Sequence, residues 1–218
     1  MQLRLVGYLI SITLCSLGIV AQTSTQNAQK PPETPKTVHQ LFLEDQEDLQ
    51  PGADGMARFT DEEYHQRVAV REATLRTMLV AGDIKAGNDF LDAAFIFQHG
   101  DTAADCLFAH ILAMDAMAQG TESARWIAAA TLDRYLQFTK QPQVFGTQYL
   151  ADPHVPVPLH AGGTYVPFGR TLEPYNESFL SDAIRTDFCV PILVQQKQNV
   201  IMFNAGMWPR ETMHPPCH

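Results

Sequence analysis

Polar side chains that a plain helical bundle does not require collect between residues 98 and 148: Gln98 with His99, His110, Asp133 with Arg134, and Gln143 with Thr147 and Gln148. Histidine can take or give a proton near neutral pH, arginine presents a planar fork to an anion, and glutamine amides both donate and accept. Brought to one edge, these groups would form a pocket with an acid/base group, a cationic anchor and amide donors. His99 ends a helical stretch just before Gly100, where the helix dipole favours a cation and a side chain can emerge from the bundle edge. The plainer alternative uses the same residue types: a buried polar network that ties a loop to helix ends.

His110 is weaker as a functional residue. It shares a helical face with Leu107, Met114 and Met117, which fits a core histidine making one hydrogen bond. Cys106 lies one turn before it, yet a structural zinc takes four ligands and no second Cys/His pair has suitable spacing; His214, Cys217 and His218 belong to a tail. The acids from Glu44 to Glu63 do not alternate around a glycine turn as calcium ligands do, and a solvated face accounts for them. No metal site and no cofactor are expected. Nor does the chain contain G-x-S-x-G, H-E-x-x-H, a phosphate-binding glycine loop or paired redox cysteines.

The elements that must position these residues are helical. NDFLDAAFIFQHG, TAADCLFAHILAMDAMAQG and TESARWIAAATLDRYLQFTK show helical apolar spacing, with Asn88, Thr102 and Thr121 as starts and Gly100 and Gly120 as stops. VHQLFLEDQEDLQ predicts a short helix before them. A longer one over residues 61–81 has Thr60 and Glu63 as a capping box and Gly82 as its stop. Tight turns between helices of this length predict a mainly α fold of antiparallel helical hairpins, stacked as a small solenoid or bundle. After Tyr149 five prolines and the alternating Val155, Val157 and Leu159, then Tyr165, Val166 and Phe168, predict a short extended or β-hairpin arm. Asn176 or Ser178 can start a further helix, and Pro191 suits the first turn of a last one with Leu193, Val200 and Phe203 inward.

The helical segments also carry a resemblance. IFQHGDTAADCLFAHILAMDAMAQG, AATLDRYLQ and QPQVFGTQ, followed by Tyr165 to Pro174, resemble a bacterial family of unknown function with a Q-H motif and a Q-P-Q-x-[YF]-G-T-Q motif. It covers roughly residues 38 to 204. The resemblance points to Gln98, His99, Asp133, Arg134, Gln143, Gly146, Thr147 and Gln148 and implies no reaction. Phe145 stands where tyrosine is commoner in the motif, so a hydroxyl is missing there.

Charge and the N-terminus bound the partners. With 15 basic against 24 acidic side chains the net charge is −9, the wrong sign for a nucleic-acid backbone or an anionic membrane surface. Residues 1–21 have one basic residue, an apolar run and Ala21, the three parts of a secretory signal; an uncleaved anchor is the alternative and the only route to a membrane. Residues 22–37 predict a flexible linker, 38–206 the helical domain and 207–218 a frayed tail. Export to a periplasm or the medium would let disulfides persist; Cys106 and Cys189 are the expected pair, with buried free thiols as the alternative. The expected function is an exported binding or interaction module holding a small polar ligand or peptide near His99 and the Gln143–Gln148 loop. The alternative is a hydrolase or transferase using His99 as general base.

Overall fold

The computed structural model describes residues 35–52, 56–155 and 169–209. Helix α1 (Val38–Asp48) opens on a reciprocal cap: the Thr37 hydroxyl accepts from the Gln40 amide, and the Gln40 side chain accepts from the Thr37 amide. Helix α2 (Asp61–Ala81) starts on the expected Thr60–Glu63 box and ends at Gly82. Helices α3 (Gly87–Phe97), α4 (Ala103–Ala118) and α5 (Ala124–Phe138) follow in succession.

Among the three central helices, two of the expected caps differ. Helix α3 begins one residue before Asn88, without a side-chain cap. Gly87 backs onto the α4–α5 turn so closely that a Cβ there would stand 2.2 Å from Thr121 Oγ1, and this contact sets where the helix starts. Helix α5 begins after Ser123: the Ala124 amide donates to the Thr121 carbonyl and the Arg125 amide to the Glu122 carbonyl, both at 3.1 Å, so the residues after Gly120 form tight i→i+3 turns before the α-helix proper.

Successive helices α3, α4 and α5 pack as neighbours, with α1 and α2 against α3, so the mainly helical architecture follows the expectation. Ala109, Ala113 and Ala116 of α4 and Ala124 and Ala128 of α5 are buried, which brings the two backbones close, while Leu75 of α2, Ile96 and Phe97 of α3 and Ile127 of α5 are large, fully buried members of the same core cluster. Each of those large side chains contributes about 1.5–3 kcal/mol by leaving water.

Beyond α5 the chain turns irregular. Strand β1 (Leu150–Asp152) pairs antiparallel with β2 (Gly169–Thr171), Leu150 opposite Thr171, and these form the base of the expected arm. Its inner positions Val157, Leu159, Tyr165, Val166 and Phe168 lie outside the described residues. Helix α6 (Asp182–Asp187) starts on Ser181, later than Asn176 or Ser178. The Glu177 carbonyl is instead an acceptor for the buried Arg185 guanidinium, at 2.7 Å, which holds that stretch off the helix. In α7 (Leu193–Asn204) Phe203 is buried as expected, but Gln196 and Asn199 take the other fully buried positions.

Cys106 is a buried free thiol and Cys189 is disulfide-bonded, so these two do not pair with each other. Burial pushes the Cys106 thiol up to about 11, far from reactive thiolate chemistry. The expected signal segment, nearly all of the linker and the end of the tail lie outside the described residues. No described helix is long and apolar enough to cross a membrane.

Candidate functional site

The Gln143–Gln148 strip is built around Asp133. This side chain on α5 is fully buried; its Oδ1 accepts from the amides of Val144 (2.8 Å) and Phe145 (2.9 Å), and its Oδ2 accepts from the amide (2.9 Å) and hydroxyl (2.8 Å) of Thr147. Burial raises the pKa of this carboxyl, against the opposing pull of its four donors. Gly146 permits the turn: its φ is +82°, and a Cβ would lie 2.3 Å from Gln196 Oε1 and 2.8 Å from Tyr175 Oη. Phe145 packs into the core against Phe188, with ring centroids 5.0 Å apart.

Gln143 is also fully buried and fully used. Its Nε2 donates to the carbonyls of Gln148 (2.9 Å) and Leu172, and its Oε1 accepts from the Gln148 amide at 3.0 Å. Asp133, Gln143 and Thr147 therefore spend their polar groups on shaping the loop. Gln148 points the other way, donating to the Ala130 carbonyl at 3.1 Å and offering Oε1 to Arg134 Nε at 3.4 Å.

Arg134 carries the network to the helix junction. Its Nη1 donates to the Gln98 carbonyl at 2.6 Å, and no carboxylate among the described residues lies in ion-pair range of its half-buried guanidinium. Next to Gln98, His99 places Nδ1 2.9 Å from Oδ2 of Asp45, a carboxylate with no exposure at all. Since a carboxylate only accepts, Nδ1 is the donor of this pair. The His99 side chain is 14% exposed, the opening of this seam to solvent.

Behind His99 stand residues that the sequence pattern did not single out. Arg71 on α2, itself buried, reaches Asp45 at 3.5 Å and also donates to Asp48, which is held from the other side by Arg67 at 2.7 and 2.9 Å. Desolvation works against the Asp48 carboxylate, but the bonds and charge of Arg67 and Arg71 outweigh it and hold its pKa below the ordinary value. Asp45 and Asp48 thus depart from the expected solvated face. They continue the buried stripe Val38, Leu41, Asp45, Asp48 of α1, and that spacing was the signal available in the residue order.

Tyr64 is the other missed residue. Its ring meets the His99 ring at 60° with centroids 6.5 Å apart, and its hydroxyl is buried with no hydrogen-bond partner among the described residues. Desolvation pushes that phenol up to about 12, with Asp45 adding to the rise and the positive charges of Arg71 and Arg134 opposing it. Gln98, His99, Asp45, Arg71, Tyr64 and Arg134 form one polar seam between α1, α2, the end of α3 and α5.

His110 stands apart from this seam. Its Nδ1 pairs with the Ala128 carbonyl at 2.8 Å, the single hydrogen bond expected of it. The face is less apolar-enclosed than expected, since Leu107 and Met114 are exposed. Two concavities of 680 and 500 Å³ lie along α1 and α2; neither is walled by His99 or by the Gln143–Gln148 strip, though Arg71 lines the smaller. No group of side chains among the described residues is placed to hold a metal ion.

No family model matches this chain, and comparison with curated proteins and with solved structures returns no significant match. The likeness to the Q-H and Q-P-Q-x-[YF]-G-T-Q family therefore stands on those motifs alone.

Proposed function

We propose that this protein is an exported binding module that takes a small polar ligand into the seam between α2, the end of α3 and α5, against His99, Tyr64 and Arg134. The observation that carries this reading is Tyr64, whose ring lies against that of His99 and whose buried hydroxyl has no hydrogen-bond partner among the described residues. A buried polar group without a partner costs about 1–3 kcal/mol, and a ligand atom that pairs it recovers that loss. The Gln143–Gln148 strip then acts as the frame, with Gln148 as the link that orients Arg134.

Thermal-shift screening of the purified protein against sugars, peptides and cell-wall fragments tests the proposal. A ligand whose stabilisation disappears in His99→Ala is the expected result, and a flat screen across those classes removes the reading. Export is checked separately, by fractionation and by N-terminal sequencing of the mature chain.

A second reading rests on the His99–Asp45 contact of 2.9 Å. A buried carboxylate that fixes the imidazole by Nδ1 leaves Nε2 placed as a general base, the arrangement a hydrolase or transferase uses. Turnover of ester or amide panels, lost in both His99→Ala and Asp45→Asn, would favour this reading over binding alone. Binding without turnover favours the first.

A further inference from the structure

The seam's buried Asp45 and Asp48 have cationic partners, while one of its cations has no carboxylate partner among the described residues. Asp45 and Asp48 are met by Arg71 and Arg67, whose contacts run from the Arg71–Asp45 pair at 3.5 Å to the two-pronged Arg67–Asp48 pair at 2.7 and 2.9 Å. Arg134 differs: it is half-buried and, among the described residues, held by the Gln98 carbonyl at 2.6 Å and Gln148 Oε1 at 3.4 Å, both neutral acceptors. A guanidinium that is partly removed from water and bonded to neutral oxygens retains a strong demand for a counter-ion. The same seam holds a further donor. Tyr64 has an O–H with no acceptor among the described residues, and His99 lies against its ring, held through Nδ1 by Asp45.

From this juxtaposition we infer that the ligand is a carboxylate, one oxygen facing the Arg134 guanidinium and the other the Tyr64 hydroxyl, with His99 at the opening. The inference rests on the binding reading above and names its ligand class. A single negative charge suits a guanidinium whose bonded acceptors are both neutral. A phosphate carries about −1.5 to −2 at neutral pH, and its excess charge would be placed beside the fully buried Asp45 carboxylate, where like charges repel strongly. The whole chain, at −9, also discourages multiply charged anions. The carboxylate can belong to a small organic acid or to the C-terminus of a peptide.

Titration calorimetry on the mature full chain tests this with acetate, succinate, an N-acetylated dipeptide with a free C-terminus, the methyl ester of that dipeptide, and inorganic phosphate. The free acids should bind about tenfold or more tightly than the ester, the ratio expected for one charge-assisted hydrogen bond. Preference for the dipeptide over acetate and succinate assigns a peptide terminus; the reverse order assigns a small acid. Tyr64→Phe is the decisive variant, because its hydroxyl supports nothing in the fold. Its melting temperature should stay equal or rise, while affinity for the preferred acid falls about tenfold. Arg134→Gln should abolish binding, and circular dichroism shows whether that variant keeps its helices.

An ester that binds as tightly as its acid, a preference for phosphate, or a Tyr64→Phe protein with wild-type affinity each overturns the carboxylate assignment. If neutral sugars or amides bind in a manner dependent on Tyr64 and His99 while every acid fails, the ligand class is wrong and the site stands. If neither set binds, both proposals fall.

Discussion

Replacing Asp133 should show how much of the fold depends on one carboxylate. In Asp133→Asn the remaining oxygen can still accept from Val144 and Phe145, but the new amide group faces the Thr147 amide, 2.9 Å from the lost oxygen, so donor meets donor. The Thr147 hydroxyl, at 2.8 Å, can reverse and accept. One buried N–H is left unsatisfied, at a cost of about 2 kcal/mol. Asp133→Ala leaves Val144, Phe145 and Thr147 without their acceptor, so its cost should rise to about 4 kcal/mol. That is less than the sum of separate losses, because a detached loop regains water and the buried carboxylate is no longer desolvated. Urea unfolding followed by circular dichroism measures both; with an m-value of about 2 kcal/mol/M, the asparagine variant should lose about 1 M in midpoint and the alanine variant about 2 M. An asparagine midpoint within about 0.25 M of wild type would mean that the four contacts at Asp133 do not hold the loop, and that the strip is not built around that carboxylate.

Other substitutions probe the same framework. Gly146→Ala combines a left-handed backbone with a Cβ 2.3 Å from Gln196 Oε1, so chemical denaturation should reveal a loss of about 2–4 kcal/mol. Gln148→Ala should lose about 1–3 kcal/mol in the same assay, because the Ala130 carbonyl and Arg134 lose their partner; an unchanged midpoint would contradict the observed bonds. Arg71→Ala strips Asp45 and Asp48 of their shared buried cation and should cost about 3–5 kcal/mol, more than any surface arginine replaced in parallel. Glu72 has a buried oxygen without a partner; burial, with Asp105 and Asp101 adding to it and Arg76 opposing, raises its carboxyl from 4.5 to about 7. A raised folded-state pKa means the native protein holds the proton more tightly, so this contribution is present below pH 4.5 and lost as pH rises through about 7. Melting temperatures of wild type and Glu72→Gln, compared from pH 4 to 8, should therefore diverge with rising pH in favour of the variant; parallel curves would refute the assignment.

Local chemistry determined what was legible from residue order. Capping boxes, glycine stops and apolar spacing act within a few residues, so α2 was placed nearly to the residue by Thr60, Glu63 and Gly82. The mainly helical class, the succession of α3, α4 and α5 and the short β arm followed from the same signals. Side-chain types also marked Asp133, Gln143, Thr147 and Gln148 as a group, and they do bond as one. What those groups bond to was decided only in three dimensions. Asp45 meets His99 across 54 residues and Arg71 across 26, partnerships that no local rule encodes. An aspartate on a short acidic helix looks solvated until a neighbouring helix covers the face that also carries Val38 and Leu41. Tyr64 likewise has an apolar ring that fits helical spacing, while the lack of a partner for its hydroxyl exists only once α2 lies against His99. Residue order specified which groups were polar; packing specified which of them lost water, and only desolvated groups gain the interaction strength on which a site depends.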